Sequence, residues 1–127
     1  MRLSIIKALV SIKNGCRLNK RTINLKFNKK YLNLLTILYK EGFIQSFFIN
    51  SSKLSTTIYL RFFQNKNILS NLKFISTPSR QKFISYFNLC RINTKKIFVL
   101  LTTNKGLLTL PECKKQKIGG KILFLIF

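Results

Sequence analysis

Histidine and aspartate are missing from the 127 residues, and glutamate occurs only as Glu41 and Glu112. These absences empty most of the catalytic inventory. A Ser-His-Asp triad, paired carboxylates for hydrolysis and the carboxylate-held ions of two-metal nucleases all need groups this chain lacks. Three cysteines, Cys16, Cys90 and Cys113, are widely spaced, with no C-x-x-C pattern and no histidine to complete a zinc site. Neither a metal centre nor a complete disulfide framework is expected, and the thiols read as buried or half-buried in a reducing compartment. Long apolar runs are missing as well. The longest, residues 122–127, is strand-sized, far short of the roughly 18–20 residues of a spanning helix. Lys7 and Lys13 interrupt the N-terminal stretch that a signal peptide would need unbroken. The expectation is a protein that is not an enzyme, with no cofactor, no small-molecule substrate and no membrane insertion.

What the chain has in excess is positive charge. Lys and Arg number 24, giving a net charge of +22. A basic disordered tail would be poor in apolar residues, whereas 46% of this chain is apolar and 13% aromatic, so a core is affordable. A small folded body at +22 repels itself and is eased by a polyanion. Nucleic acid is the obvious one, and an anionic membrane surface is the alternative.

Periodicity outlines an α+β chain in two small lobes, 1–64 and 65–127. Ile5, Leu9 and Ile12 recur at helical spacing over residues 4–14, and Asn14-Gly15 reads as the stop. Ile23, Leu25 and Phe27 alternate as a half-buried strand. A second helix spans residues 29–41 on the stripe Tyr31, Leu34, Leu35 and Leu38, ended by Gly42. Strands over 43–49 and 56–62 complete an α-β-α-β-β first lobe. The polar run Gln64-Asn65-Lys66-Asn67 marks the expected boundary. The second lobe reads as mainly β with one short helix. A strand over 72–76 precedes a loop with Thr77, Pro78, Ser79 and Arg80, and residues 83–89 read as a strand or an irregular segment. A strand over 96–103, apolar on both faces, suggests a central position. Thr109 and Glu112 have capping-box spacing for a helix over 110–117, and Gly119-Gly120 lead into a last strand, 121–127.

Basic clusters offer phosphate contacts: Lys13, Arg17, Lys20 and Arg21; Arg80 and Lys82; Lys105; and Lys114, Lys115, Lys117 and Lys121. The segment Thr102-Thr103-Asn104-Lys105-Gly106 leaves the central strand with two hydroxyls, an amide, an ammonium and a glycine, a set suited to 2′-hydroxyls, base edges and phosphates. On its own it also fits ordinary turn chemistry. Most aromatics alternate like core residues, while Tyr86 and Phe87 stand in a polar neighbourhood as stacking candidates.

These motifs also occur in a familiar order. Residues 9–15, Leu-Val-Ser-Ile-Lys-Asn-Gly, resemble the first helix and Asn-Gly stop of the small-subunit ribosomal protein eight family. Residues 37–44, with Lys-Glu-Gly-Phe-Ile, resemble the end of its second helix, and Ile75-Ser76-Thr77-Pro78 its Ser-x-Pro-Gly loop. Residues 102–109 resemble its hydroxyl-rich Lys-Gly signature, and Ile118-Gly119-Gly120 the glycine pair before its last strand. The resemblance implies a two-lobed structural constituent of the ribosome that binds the central domain of small-subunit rRNA beside neighbouring small-subunit proteins and supports assembly and translation. It implies rRNA contacts from Thr102, Thr103, Asn104, Lys105 and Gly106, then from Thr77, Pro78, Ser79, Arg80 and Lys82, with Lys13, Arg17 and Lys121 as further candidates. Three departures stand out: Ser79 in place of the glycine after Pro78, Lys121 where glutamate is common, and Ile92-Asn93-Thr94-Lys95-Lys96 in place of a glycine-rich approach. An AT-rich coding bias toward Lys, Asn, Ile, Phe and Leu, with a start at the first helix and no presequence, leads to the expectation of an organelle-encoded protein. A mitochondrion is expected first, then a plastid, then an AT-rich bacterium.

Overall fold

The computed structural model describes residues 2–77, 79–93 and 95–126, without the side chains of Arg2 and Leu3. Pro78, Thr94 and Phe127, all named in the sequence reading, lie outside the described residues. The chain divides into two units, Met1–Ser70 and Asn71–Phe127.

In unit 1, helix α1 (Arg2–Arg17) is followed by strand β1 (Thr22–Lys26), a 3-10 turn (Lys29–Tyr31), helix α2 (Leu32–Lys40), and strands β2 (Ile44–Asn50) and β3 (Ser55–Leu60). β3 lies between β1 and β2, antiparallel to both. The helical stripes seen in the sequence are the core: Ile5, Leu9 and Ile12 of α1 and Leu34, Leu35 and Leu38 of α2 are buried, as are Ile23, Ile58 and Leu60 from the sheet. Asn28 caps the 3-10 turn, its side chain accepting from the Lys30 N–H at 3.0 Å. β2 and β3 are joined by a turn in which the Asn50 side chain accepts from the N–H groups of Ser52 and Lys53.

The expected stop at Asn14-Gly15 is wrong by one turn. Gly15 is inside α1. The helix runs to Arg17, and Asn19 just beyond it closes the end in the left-handed region at φ 53°: the Lys20 N–H donates to the Gly15 carbonyl (3.0 Å) and that of Asn19 to the Cys16 carbonyl (3.2 Å). Gly15 serves packing instead, since a Cβ there would stand 2.4 Å from Cδ1 of Ile23. α2 does end as expected, at Gly42 with φ 79°.

Gln64 and Asn65 form the tip of a small hairpin, β4 (Phe62–Phe63) against β5 (Lys66–Asn67). Both tip residues have positive φ, the requirement of a tight two-residue hairpin turn. The polar run over 64–67 is thus a hairpin within unit 1.

In unit 2, strands β6 (Leu72–Phe74) and β7 (Phe83–Ile84) precede helix α3 (Tyr86–Leu89), strands β8 (Phe98–Thr103) and β9 (Gly106–Thr109), helix α4 (Leu110–Gln116) and strand β10 (Gly120–Ile126). The strand order is β6-β10-β8-β9, with β7 also paired to β10. β8 is internal, as its two apolar faces predict, with Val99, Leu100 and Leu101 all buried. Leu89, Val99, Leu101, Leu110 and Cys113 form one apolar cluster. The expected capping box forms, the Thr109 N–H donating to the Glu112 carboxylate at 2.9 Å. α4 ends on Lys117 in the left-handed region at φ 56°, where the Ile118 N–H donates to the Cys113 carbonyl.

Candidate nucleic-acid interface

The β8–β9 hairpin turns on Asn104 and Lys105, with Thr103 and Gly106 as the last cross-strand pair. Gly106 sits at φ 98°, a conformation L side chains rarely adopt, which is what lets the turn close without a longer loop. Thr103 holds the tip together. Its hydroxyl donates to the Gly106 carbonyl at 3.0 Å and accepts from the Lys105 N–H at 3.2 Å. The hydroxyl proton of Thr103 is therefore committed to the turn, while the side chains of Asn104 and Lys105 remain exposed. A tip braced in this way has little backbone freedom left to lose on contact.

The glycine pair explains why the tip stands where it does. A Cβ on Gly119 would lie 2.5 Å from the Ile84 carbonyl oxygen and 3.0 Å from the Tyr86 nitrogen. One on Gly120 would lie 2.7 Å from the Thr102 carbonyl oxygen. Both residues have ordinary φ, so they are needed for close backbone approach rather than for a turn. Through them, β10 draws the Ser85–Tyr86 corner and the base of the hairpin to one end of the sheet. Ser85 caps α3 there, accepting from the Asn88 N–H. Phe87 projects from α3, 69% exposed, with the Arg91 guanidinium 4.9 Å from its ring centre. An exposed ring under a cation suits base stacking. The sequence reading named Phe87 but missed Arg91, whose signal was the four-residue spacing on a helical turn. Tyr86 is half-buried, and a hydrogen bond with Cys90 raises its hydroxyl pKa.

The second loop is closed on itself. Thr77 and Arg80 exchange backbone hydrogen bonds of 2.8 and 3.2 Å, and the Thr77 hydroxyl also accepts from the Arg80 N–H and meets the Ser79 hydroxyl. It is anchored at a bulge in β10, where the Leu123 carbonyl accepts from the N–H groups of Ile75 and Ser76. Buried Ser76 binds the Lys82 N–H at 3.0 Å. The side chains of Thr77, Ser79, Arg80 and Lys82 face solvent.

Thr102, Thr103, Asn104, Lys105, Gly106, Thr77, Ser79, Arg80 and Lys82 thus all belong to unit 2. Lys13, half-buried, and Arg17, exposed, are one helical turn apart on α1 of unit 1. Lys121, the remaining candidate, is on β10. It is 2% exposed, opposite Thr102 on one side and Phe83 on the other, and has its partners within the chain. A phosphate reaching Lys121 would have to displace those partners. Lys114 is likewise occupied, its ammonium donating to the Ile92 carbonyl at 2.6 Å.

Two of the three thiols, Cys16 and Cys113, are buried. Burial pushes the Cys16 thiol up to about 12, and burial followed by the charge of Glu112 raises that of Cys113. Both stay protonated at neutral pH. Cys90 is exposed rather than buried.

A profile of the family described as ribosomal protein S8 matches residues 4–127. The chain belongs to the ribosomal protein S8 family. It is 35% identical over 127 residues to the small ribosomal subunit protein uS8m of Acanthamoeba castellanii, covering 98% of this chain and 99% of the relative. The uS8 protein of Acholeplasma laidlawii is 31% identical over 121 residues, covering 94% and 92%. That of Borrelia garinii subsp. bavariensis is 29% identical over 123 residues, covering 94% and 93%. The match runs through both units, so the hairpin tip, the 77–82 loop and the glycine pair all lie within the family's shared length.

Proposed function

We propose that this protein is a structural constituent of the small ribosomal subunit, binding the central domain of small-subunit rRNA and supporting subunit assembly and translation. The observation that carries the reading is the braced tip Thr103-Asn104-Lys105-Gly106, exposed on a chain of net charge +22 that matches the ribosomal protein S8 family along nearly its whole length. Asn104 and Lys105 meet a base edge, a 2′-hydroxyl or a phosphate, and Thr102, Gly106 and the braced Thr103 hold them in place. Thr77, Ser79, Arg80 and Lys82 add contacts from the second loop, and Lys13 and Arg17 neutralise phosphate from unit 1. Its partners are this rRNA and neighbouring small-subunit proteins. The role is architectural, in keeping with a family whose members are structural rather than enzymatic.

A mitochondrial ribosome is the setting we favour over a plastid one, supported by the similarity to a mitochondrial uS8m. The membrane-surface alternative loses its best support, because the apolar stripe of α1 is spent inside unit 1. No helix among the described residues is long and apolar enough to cross a membrane.

Protein–RNA crosslinking in lysed mitochondria, with sequencing of the attached RNA and mapping of the crosslinked residues, tests the reading. Crosslinks from residues 102–106 into the central domain of small-subunit rRNA are expected. Crosslinks confined to scattered mRNA or tRNA, or a protein recovered only with lipid, would overturn it.

A further inference from the structure

Unit 1 has a site that the hairpin-centred reading leaves unused. Its helices cover one face of the three-stranded sheet, and the opposite face carries Asn24, Thr57, Phe48 and Tyr59. At one end of that face lies an open cavity of about 1000 Å³, lined by Asn19, Arg21, Gln45, Tyr59, Arg61 and Asn65 among others.

The three amides arrive by three separate irregularities of the backbone. Asn19 is the left-handed residue that closes the end of α1, and Asn65 is a left-handed residue of the β4–β5 turn. Gln45 stands where the register of β2 slips against β3. The aromatic and one of the cations are braced. Phe48 and Tyr59 pack edge to face, with 5.7 Å between ring centres and 89° between planes. Arg61 is steadied by a hydrogen bond from Nη1 to the Gly42 carbonyl at 3.2 Å. Arg21 is exposed at the rim. No acidic residue lines the cavity.

An aromatic ring, two guanidiniums and three amides in one concavity are the groups that bind a nucleotide. The ring stacks on a base, guanidiniums pair with phosphate, and amides read the polar edge of an unstacked base. Protein interfaces also use Tyr and Arg, but a cavity without acids on a chain of net charge +22 favours a polyanion as its occupant. We propose that this cavity of unit 1 holds one unpaired nucleotide of an rRNA strand, its base stacked on Tyr59 and its flanking phosphates met by Arg21 and Arg61. The proposal rests on the rRNA-binding reading and adds to it a second, chemically distinct contact, made by stacking on a sheet face rather than by a loop tip.

The test uses the full chain and a transcript of the central domain of small-subunit rRNA. The chain has no tryptophan, so Tyr59→Trp gives emission from this cavity alone. We expect quenching that saturates with the binding curve measured by filter retention. Tyr59→Leu and Arg21→Gln should each bind about tenfold more weakly, and Arg21→Gln should also lower the slope of log affinity against log salt by about one. Arg21 is an exposed surface residue, so its variant keeps the test sound if Tyr59→Leu folds poorly. Full emission at RNA saturation, or parent-like affinity in both Tyr59→Leu and Arg21→Gln, overturns the cavity proposal. If such a parent still weakens with Lys105→Ala, the ribosomal reading survives that failure. A parent that does not bind the transcript at all sinks both. Quenching by a small-subunit protein but not by RNA would make the cavity a protein contact and overturn the proposal as well.

Discussion

The two units use the same materials, helices and antiparallel strands, and present charge in different ways. Unit 1 stacks two helices on one face of a three-stranded sheet and leaves the other face to side chains, with Phe48 and Tyr59 exposed. Unit 2 projects a hairpin and a closed loop from a sheet whose internal strand is buried on both sides. Their glycines tell the same story. Gly15 of unit 1 faces the flexible end of Ile23, whereas Gly119 and Gly120 of unit 2 face backbone carbonyls at 2.5 and 2.7 Å. A side chain can rotate away from an added methyl group and a carbonyl in a sheet cannot. Unit 2 is thus assembled backbone on backbone at the end that carries its hairpin, and unit 1 tolerates adjustment where its helix meets its sheet.

The sharpest way to break this contrast is Gly119→Ala. The new Cβ has the Ile84 carbonyl, the Tyr86 nitrogen and Ser85 Cα within 3.1 Å, and none can give way without parting β7 from β10. A loss of about 3 kcal/mol in urea unfolding is expected. A variant within 1 kcal/mol of the parent would show that the Ser85 corner is loose and that the hairpin does not depend on it.

Lys105→Ala is the next test, with an effect on binding and none on folding. The side chain is exposed and has no resolved role in the turn, which its backbone makes. RNA affinity should fall by about 1–3 kcal/mol at unchanged thermal stability, with the salt slope reduced by about one. Unchanged affinity would remove the tip from the contact list. Thr103→Val separates bracing from contact. It deletes the hydroxyl that ties Lys105 N–H to the Gly106 carbonyl, at a cost of about 1 kcal/mol. Faster hydrogen exchange at the Lys105 amide should accompany weaker RNA binding. Exchange unchanged beside weakened binding would make Thr103 a direct contact instead.

Patterning made most of these elements legible, because period is a property of the chain alone. The stripe on α1, the alternation of β3 and the doubly apolar run of β8 each appear where the spacing of Ile, Leu and Phe puts them. The capping box of α4 was readable because its two partners are three residues apart. Features set by tertiary approach were not. Asn14-Gly15 has the composition of a helix stop, yet packing against Ile23 keeps Gly15 helical and passes the left-handed position to Asn19. Gly119-Gly120 read only as the lead into the last strand, because nothing local reveals the carbonyls of Ile84 and Thr102. Lys121 carried the same weight as any other lysine until its strand neighbours buried it. At the candidate interface, the tip was visible as a string of residue types, while the dual role of the Thr103 hydroxyl, the pairing of Arg91 with Phe87 and the cavity around Tyr59 each depend on residues brought together by the fold.

The smallest expected effect belongs to Gly15→Ala, and its smallness is the point. Alanine in a helix interior is favoured over glycine by about 1 kcal/mol, chiefly because the unfolded chain loses freedom. Against that gain, the new Cβ meets Cδ1 and Cγ1 of Ile23 at 2.4 and 2.8 Å, with Leu60 Cδ1 beyond at 3.8 Å. Ile23 is the second residue of β1, paired to Ile58, so its backbone is held and relief has to come from its side chain. A χ rotation there costs about 0.5–1.5 kcal/mol if it leaves a staggered well, so the two effects nearly cancel. The urea midpoint should therefore move by less than the equivalent of about 1 kcal/mol. A loss as large as that of Gly119→Ala would mean that Ile23 is locked between α1 and β3 as firmly as a carbonyl in a sheet. The contrast between the units would then lie in what they present to RNA and not in how they are built.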